Sequence, residues 1–196
     1  MAASGLQVEL REILLRDKPA SMLEASPKGT VPVMILPDGT VLEESFDIME
    51  WALGQSDPQG LLAPGTPARV LIERCEAEFK PHLDRFKYAI RYDDVDPEHE
   101  RKKASEYLQE LEMLLQSQPC LFGTKTSIAD IGTAPFVRQF ANTDRGWFDA
   151  QPWPALHRWL EDFIASERFQ QIMPKFPQWH SGDAATLFPT EAPNAP

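Results

Sequence analysis

Short runs of alternating apolar and polar positions dominate the first fifty residues and predict an α+β region. Residues 6–10 alternate, as expected for a half-buried strand. Residues 31–36 and 40–42 are rich in β-branched and aliphatic side chains. Asp38 and Gly39 between them predict a hairpin turn, because glycine tolerates the positive φ that such a turn needs. Two helix-compatible stretches accompany these strands, at residues 20–25 and 45–53.

The remainder of the chain changes to a helical pattern. Apolar residues recur every three or four positions in four stretches, which predicts amphipathic helices. These stretches lie at residues 72–90, 104–115, 128–141 and 156–164. Pro81 predicts a kink in the first helix, and a short fifth helix is predicted around residues 169–173.

These patterns predict four segments. An incomplete α+β domain covers residues 1–53, and a linker rich in Gly and Pro covers residues 54–67. An all-helical domain covers residues 68–180. Residues 181–196 contain three prolines and no apolar stripe, so we expect a poorly ordered tail.

Charge and cysteine content narrow the possible partners and compartment. The chain has 30 acidic and 19 basic residues, a net charge of −11, which argues against binding nucleic acid or anionic membranes. Two cysteines among 196 residues exclude a disulfide scaffold and suit a reducing compartment. No apolar run approaches the ~18 residues of a membrane helix, and no signal-peptide pattern opens the sequence. We expect a soluble, cytoplasmic protein.

The cysteines and histidines give no sign of a metal or a nucleophile. Cys75 shares an apolar face with Ile72 and Phe79, which predicts a buried thiol, and Cys120 is expected to be a packing residue. The four histidines show no paired ligand spacing, so we expect no metal.

Two separated motifs resemble the cytosolic glutathione S-transferase family, especially its bacterial-type members. The first is SPKGTVPV at residues 26–33 followed by DGTVLEES at residues 38–45, and the second is SIAD at residues 127–130. The resemblance spans about residues 6–180 and implies a thioredoxin-like domain, here incomplete, followed by an all-α helical bundle. Pro32 should then begin its strand, and a cis bond with Val31 is expected.

The resemblance implies glutathione as co-substrate. Val31 would pair through its backbone with the cysteinyl unit, as an added strand does. Ser45, at a predicted helix start, suits the γ-glutamyl carboxylate, and Glu44 can face the neighbouring ammonium. The alternative is that Glu44 and Ser45 only cap the helix. Lys18 precedes a proline, as in members whose lysine binds the glycyl carboxylate; the alternative is a solvated loop lysine.

Ser127 and Asp130 form an S-x-x-D pattern at a predicted helix start. This pattern predicts a capping box, in which each side chain meets the backbone N–H of the other residue. We assign it a structural role.

The family's catalytic Tyr, Ser or Cys lies at the end of its first strand or at the start of its first helix. Residues 1–5 resemble the last turn of that helix, so the catalytic residue is expected to be absent from this chain, and Ser4 is no substitute. Residues 6–10 should then lack a strand partner, which predicts a loosened first half.

Three functions stay open. The first is a homodimeric transferase, with residues 70–92 at the dimer interface and a sequence that starts late, which passes the glutathione thiolate to an unknown electrophile or a mixed disulfide. The alternative is a non-catalytic glutathione-binding or dimeric interaction module. A third is a helical scaffold that binds no glutathione. The electrophile would sit near Phe79, Phe86, Lys87 and Tyr92.

Overall fold

The computed structural model describes residues 1–190, which divide into two compact units. Unit 1 combines Met1–Gln59 with the chain from Glu167 onward, and unit 2 is Gly60–Ser166. In chain order the elements are β1 (Val8–Leu10), α1 (Ala20–Ala25), β2 (Met34–Ile35), β3 (Val41–Leu42), α2 (Ser45–Gln55), α3 (Thr66–Arg74), α4 (Lys80–Lys87), α5 (Pro97–Leu115), α6 (Ile128–Thr143), α7 (Arg145–Asp149), α8 (Pro154–Ala165), α9 (Glu167–Ile172) and β4 (Thr186–Phe188). The predicted α+β region followed by helices is confirmed.

The hairpin in unit 1 forms where the sequence predicts it. β2 and β3 pair antiparallel, with Met34 opposite Leu42. Gly39 adopts φ +87°, and the Asp38 carboxylate accepts a hydrogen bond of 2.9 Å from the Thr40 N–H. The turn is therefore fixed by local chemistry at two adjacent residues.

The first strand and the tail differ from expectation. β1 has a partner, because β4 pairs with it antiparallel and places Val8 opposite Phe188. The predicted poor order of residues 181–196 therefore differs from the structure over residues 181–190, and residues 191–196 lie outside the described part. The segment after Glu167, predicted as part of the helical domain, belongs to unit 1. Apolar periodicity identifies a helix but not the unit against which the helix packs.

Unit 2 holds most of the buried apolar side chains. Phe79 stacks on Tyr107 with ring centroids 5.3 Å apart and also contacts Phe140, which in turn contacts Phe86 and Phe148. The predicted helix over residues 72–90 is interrupted by a π-helical turn at Cys75–Phe79. Because Pro81 has no N–H to donate, the turn before it is where the helix adjusts its hydrogen bonding.

The predicted cap of α6 is present. The buried Asp130 carboxylate accepts hydrogen bonds from the Ser127 N–H at 2.8 Å and from the Ser127 hydroxyl at 2.7 Å.

No helix among residues 1–190 is long and apolar enough to cross a membrane.

Candidate functional site

The loop between α1 and β2 turns sharply at a buried glycine. Gly29 has φ +62°, a conformation that favours glycine. A Cβ placed there would lie 3.4 Å from Lys18 Nζ and 3.3 Å from Leu23 Cδ2. The backbone of this loop therefore passes directly beside the Lys18 ammonium. Among residues 1–190, that ammonium has no hydrogen bond or ion pair.

Val31 follows two residues later and is 48% exposed. Its bond to Pro32 is cis, and β2 begins only at Met34. Within the described residues, no hydrogen bond uses the Val31 backbone. Its N–H and C=O are thus open to an extended peptide ligand.

The N-terminus of α2 is open as well. Glu44 is the N-cap residue, but no side chain caps the helix, so the alternative of a cap by Glu44 does not hold. Ser45 is the first helical residue, and its hydroxyl has no partner among residues 1–190. The first N–H groups of an α-helix have no partner within it and attract anions. This end of α2 can therefore receive a carboxylate.

Lys28 and Glu43 were missed by sequence reasoning. Lys28 Nζ lies 3.2 Å from Glu44 Oε1 and 3.5 Å from Glu43 Oε2. The buried Ser26 hydroxyl donates to Glu43 Oε1 at 2.5 Å. This hydrogen bond, with Lys28 nearby, lowers the pKa of Glu43, while the bond to Glu44 raises the pKa of Lys28. The only signal was the complementary charge of one lysine and two glutamates, about fifteen residues apart.

These contacts bring the four predicted residues to one loop. Lys18 lies beside Gly29, Val31 follows it, and the pair of Lys28 with Glu44 ties the loop to the start of α2, where Ser45 lies. The arrangement offers an ammonium, an open strand edge and an uncapped helix start.

Neither of the two cysteines nor Ser4 offers an activated nucleophile. Burial raises the pKa of the Cys75 thiol to about 12 and also raises the pKa of Cys120. Ser4 is buried, and its hydroxyl donates to the Met1 carbonyl at 2.8 Å. The same residues contain no group of three or more His, Cys, Asp or Glu that could hold a metal.

Two of the four residues suggested to bind an electrophile, Phe79 and Lys87, already make other contacts within the chain. Phe79 is fully buried between Tyr107 and Phe140, so it lines no surface. The Lys87 ammonium donates to Gln139 at 3.0 Å. The suggestion fails for Phe79 because the π-helical turn at Cys75–Phe79 directs this side chain into the core of unit 2.

Comparison with known proteins supplies the family. Residues 1–60 match the model of the glutathione S-transferase N-terminal domain, and residues 70–162 match that of the glutathione S-transferase C-terminal domain. A search of curated proteins gave no match.

Solved structures show the same fold. BphK, a bacterial GST solved as a ternary complex, is 24% identical with a TM-score of 0.72 over 86% of each chain. A glutathione transferase family member from Pseudomonas fluorescens, with two glutathione bound, is 20% identical with a TM-score of 0.66, over 78% of this chain and 74% of that one. One from Burkholderia graminis, with two glutathione molecules per subunit, is 23% identical with a TM-score of 0.64, over 78% and 70%.

The order of the two matched domains agrees with the order of the two structural patterns along the chain. The α+β part is a thioredoxin-like domain, and the helices after it form the helical domain that accompanies it. Both domains match the same family, and the chain therefore belongs to the glutathione S-transferase family.

Proposed function

We propose that this protein binds glutathione and transfers its thiolate to an electrophile or to a mixed disulfide. In conjugation, the thiolate sulfur forms a bond to an electrophilic carbon, and a leaving group departs with the electron pair of its bond. In reduction, the thiolate attacks one sulfur of a mixed disulfide, and the other sulfur leaves as a thiolate. Neither step needs an oxidant or reductant other than glutathione and the second substrate.

One observation carries the proposal: three open groups around the loop of residues 26–31 match the two carboxylates and the extended cysteinyl unit of glutathione. The uncapped start of α2 with Ser45 would receive the γ-glutamyl carboxylate. The free backbone of Val31 would pair with the cysteinyl unit. The Lys18 ammonium would receive the glycyl carboxylate.

Glu44 completes this assignment through its negative charge. Its carboxylate would accept a hydrogen bond from the γ-glutamyl ammonium while it also pairs with Lys28, whose ammonium is already 3.2 Å away. Lys28 also pairs with Glu43. The ligand's ammonium would therefore join a cluster that already contains one lysine and two glutamates. Lys28 would therefore orient Glu44 before the ligand arrives.

We assign no catalytic residue, and a specific observation favours a second candidate, a non-catalytic glutathione-binding module. A free thiol has a pKa of about 8.5 and is mostly protonated at neutral pH, so transfer needs a group that stabilises the thiolate. The described thiols have raised pKa values, and the Ser4 hydroxyl is engaged by the Met1 carbonyl.

Two measurements on the full chain distinguish these candidates. Isothermal titration with glutathione should show binding in the micromolar to millimolar range, about −4 to −8 kcal/mol. Conjugation to 1-chloro-2,4-dinitrobenzene and reduction of a hydroxyethyl mixed disulfide report transfer. Binding with turnover supports the transferase, and binding without turnover supports the module. Absence of binding contradicts both.

A homodimer located in the cytoplasm is a further part of the proposal. Val70 on α3 and Met113 on α5 are 45% and 63% exposed, and both are large apolar side chains that a subunit contact could cover. Sedimentation equilibrium at micromolar concentration should give twice the 22.2 kDa chain mass. A mass of one chain would contradict the dimer and leave the binding proposal untouched.

A further inference from the structure

The chain beyond α9 runs back along the first strand of unit 1. Residues 173–185 contain no helix or strand, and β4 then pairs with β1. The register places Val8 opposite Phe188, Glu9 opposite Leu187 and Leu10 opposite Thr186. We call residues 176–189 the C-terminal strap.

The strap makes further contacts past the end of β1. The backbone N–H of Trp179 donates to the Glu12 carbonyl at 2.8 Å. The Gln178 side chain donates to Asp17 Oδ2 at 3.0 Å, and the Arg11 guanidinium lies 4.6 Å from the centre of the Trp179 ring. These contacts hold residues 11–17 at three points along their length.

The segment of residues 11–17 has little structure of its own. Within the segment, Leu14 and Asp17 form an isolated β-bridge, in which the Asp17 N–H donates to the Leu14 carbonyl at 2.8 Å. Leu14 and Leu15 are 40% and 62% exposed, so burial does not anchor this segment. Its position therefore depends on β1 at one end and on the strap.

The next residue along the chain is Lys18. Its ammonium reaches the Gly29 turn, although no ion pair among residues 1–190 holds it there. The backbone that carries Lys18 is thus fixed by Gln178 through the adjacent Asp17.

We propose that the C-terminal strap is a positioning element for glutathione binding, which holds Lys18 where the glycyl carboxylate is received. This inference rests on the proposed function, because it assigns Lys18 to that carboxylate. A lysine carried by a fixed segment loses less conformational freedom on binding than one carried by a loose segment, so the strap raises affinity by preorganisation. Gln178 and Trp179 act through Lys18 and touch no part of the ligand.

The test compares strap variants with a matched control in the full chain. Gln178→Ala combined with Trp179→Ala removes both side-chain contacts with residues 11–17. Gln171→Ala is the control, because this glutamine donates to Glu167 within α9 at 3.2 Å and not to that segment. Circular dichroism and hydrogen exchange at the amides of residues 8–10 show whether the double variant is folded and whether its β1–β4 ladder persists.

Two ligands separate positioning of Lys18 from general loss of structure. Glutathione carries the glycyl carboxylate, and its monoethyl ester at that carboxyl does not. We expect the double variant to bind glutathione about three- to tenfold more weakly, roughly the loss of 1 kcal/mol of affinity. Binding of the ester should change little, and binding of either ligand to the Gln171→Ala chain should equal that of the unsubstituted chain. Lys18→Ala should remove the preference for glutathione over the ester, and adding the two strap substitutions to Lys18→Ala should cause no further loss.

Each other result overturns the inference. Equal weakening of both ligands shows that the strap serves stability alone. Unchanged binding of glutathione by the double variant shows that Lys18 needs no strap. If the unsubstituted chain binds neither ligand, the proposed function fails first. If it binds both equally, the assignment of Lys18 fails while glutathione binding stands.

Discussion

The indole N–H of Trp159 on α8 donates a hydrogen bond of 2.8 Å to Oδ1 of Asp130 on α6. The same oxygen accepts from the Leu121 N–H at 2.9 Å, and the other carboxylate oxygen accepts from Ser127. Asp130, which caps α6, thus also links α6 to α8 and to the loop that contains Leu121, in the interior of unit 2. Its removal would leave several buried donors without acceptors.

Asp130→Ala should therefore lower the free energy of unfolding by about 2–5 kcal/mol. Glutathione affinity of the folded fraction should not change, because the candidate site lies in unit 1. Urea denaturation and calorimetric titration measure the two quantities. Asp149→Ala is the control, since that carboxylate forms only a surface ion pair with Arg145 at 2.8 Å. A variant with intact stability would show that the hydrogen bonds of Asp130 are replaced by water.

Ser45→Ala should weaken glutathione binding by about 1.5–3 kcal/mol, the contribution of a hydrogen bond to a charged group. The unpartnered hydroxyl at the start of α2 is the donor that the proposal assigns to the γ-glutamyl carboxylate. Ser117→Ala, at an exposed serine of unit 2, is the matched control. Titration calorimetry gives both affinities. Equal affinities would limit Ser45 to beginning the helix.

The free energy of unfolding should decrease in acid, in part because Glu100 on α5 becomes protonated. Burial alone would raise the pKa of Glu100, but the His82 ring at 2.5 Å and the Arg85 guanidinium at 2.9 Å lower it below the ordinary value of 4.5. The folded state therefore binds this proton less readily than the unfolded state. The contribution of Glu100 is present above about pH 4.5 and is lost as the pH falls through the lowered value.

Glu100→Gln tests that pH dependence. The variant should be less stable than the unsubstituted chain at pH 7, and the difference between the two chains should shrink between about pH 5 and pH 3. Urea midpoints at several pH values supply the measurement. A difference that stays constant across this range would exclude ionisation of Glu100 as the cause.

Cys75 should not react with thiol reagents in the folded chain. It is 1% exposed, and with a pKa of about 12 only about one thiol in ten thousand is ionised at pH 8. In the Cys120→Ser variant, 5,5′-dithiobis(2-nitrobenzoic acid) should label no thiol in buffer and one thiol per chain in urea. Rapid labelling in buffer would show that the turn at Cys75–Phe79 opens readily.

Local sequence signals predicted what local chemistry decides. The turn at Gly39 and the cap at Asp130 involve residues within three positions of each other, so a short pattern carries all the information. Val31 and Ser45 were singled out through the resemblance of residues 26–33 and 38–45 to the family, and short motifs of this kind are also local features.

Pairings between distant segments could not be predicted in this way. β4 has three residues, too few for an alternating pattern to distinguish it from a loop, and nothing in Thr186–Phe188 specifies β1 as its partner. The contact of Lys28 with Glu44 likewise depends on how the loop turns at Gly29. Both results come from tertiary geometry, which the period of apolar residues does not encode.

The pairing of β1 with β4 also sets an order of events during synthesis. The ribosome makes the chain from its N-terminus, so Val8 leaves long before its partner Phe188 exists. All of Gly60–Ser166 emerges in the interval and can complete its contacts first. Unit 1 therefore cannot complete its β1–β4 pair until the chain has been made as far as Phe188. Until that point the β1 edge stays unpaired and open to contacts with other chains.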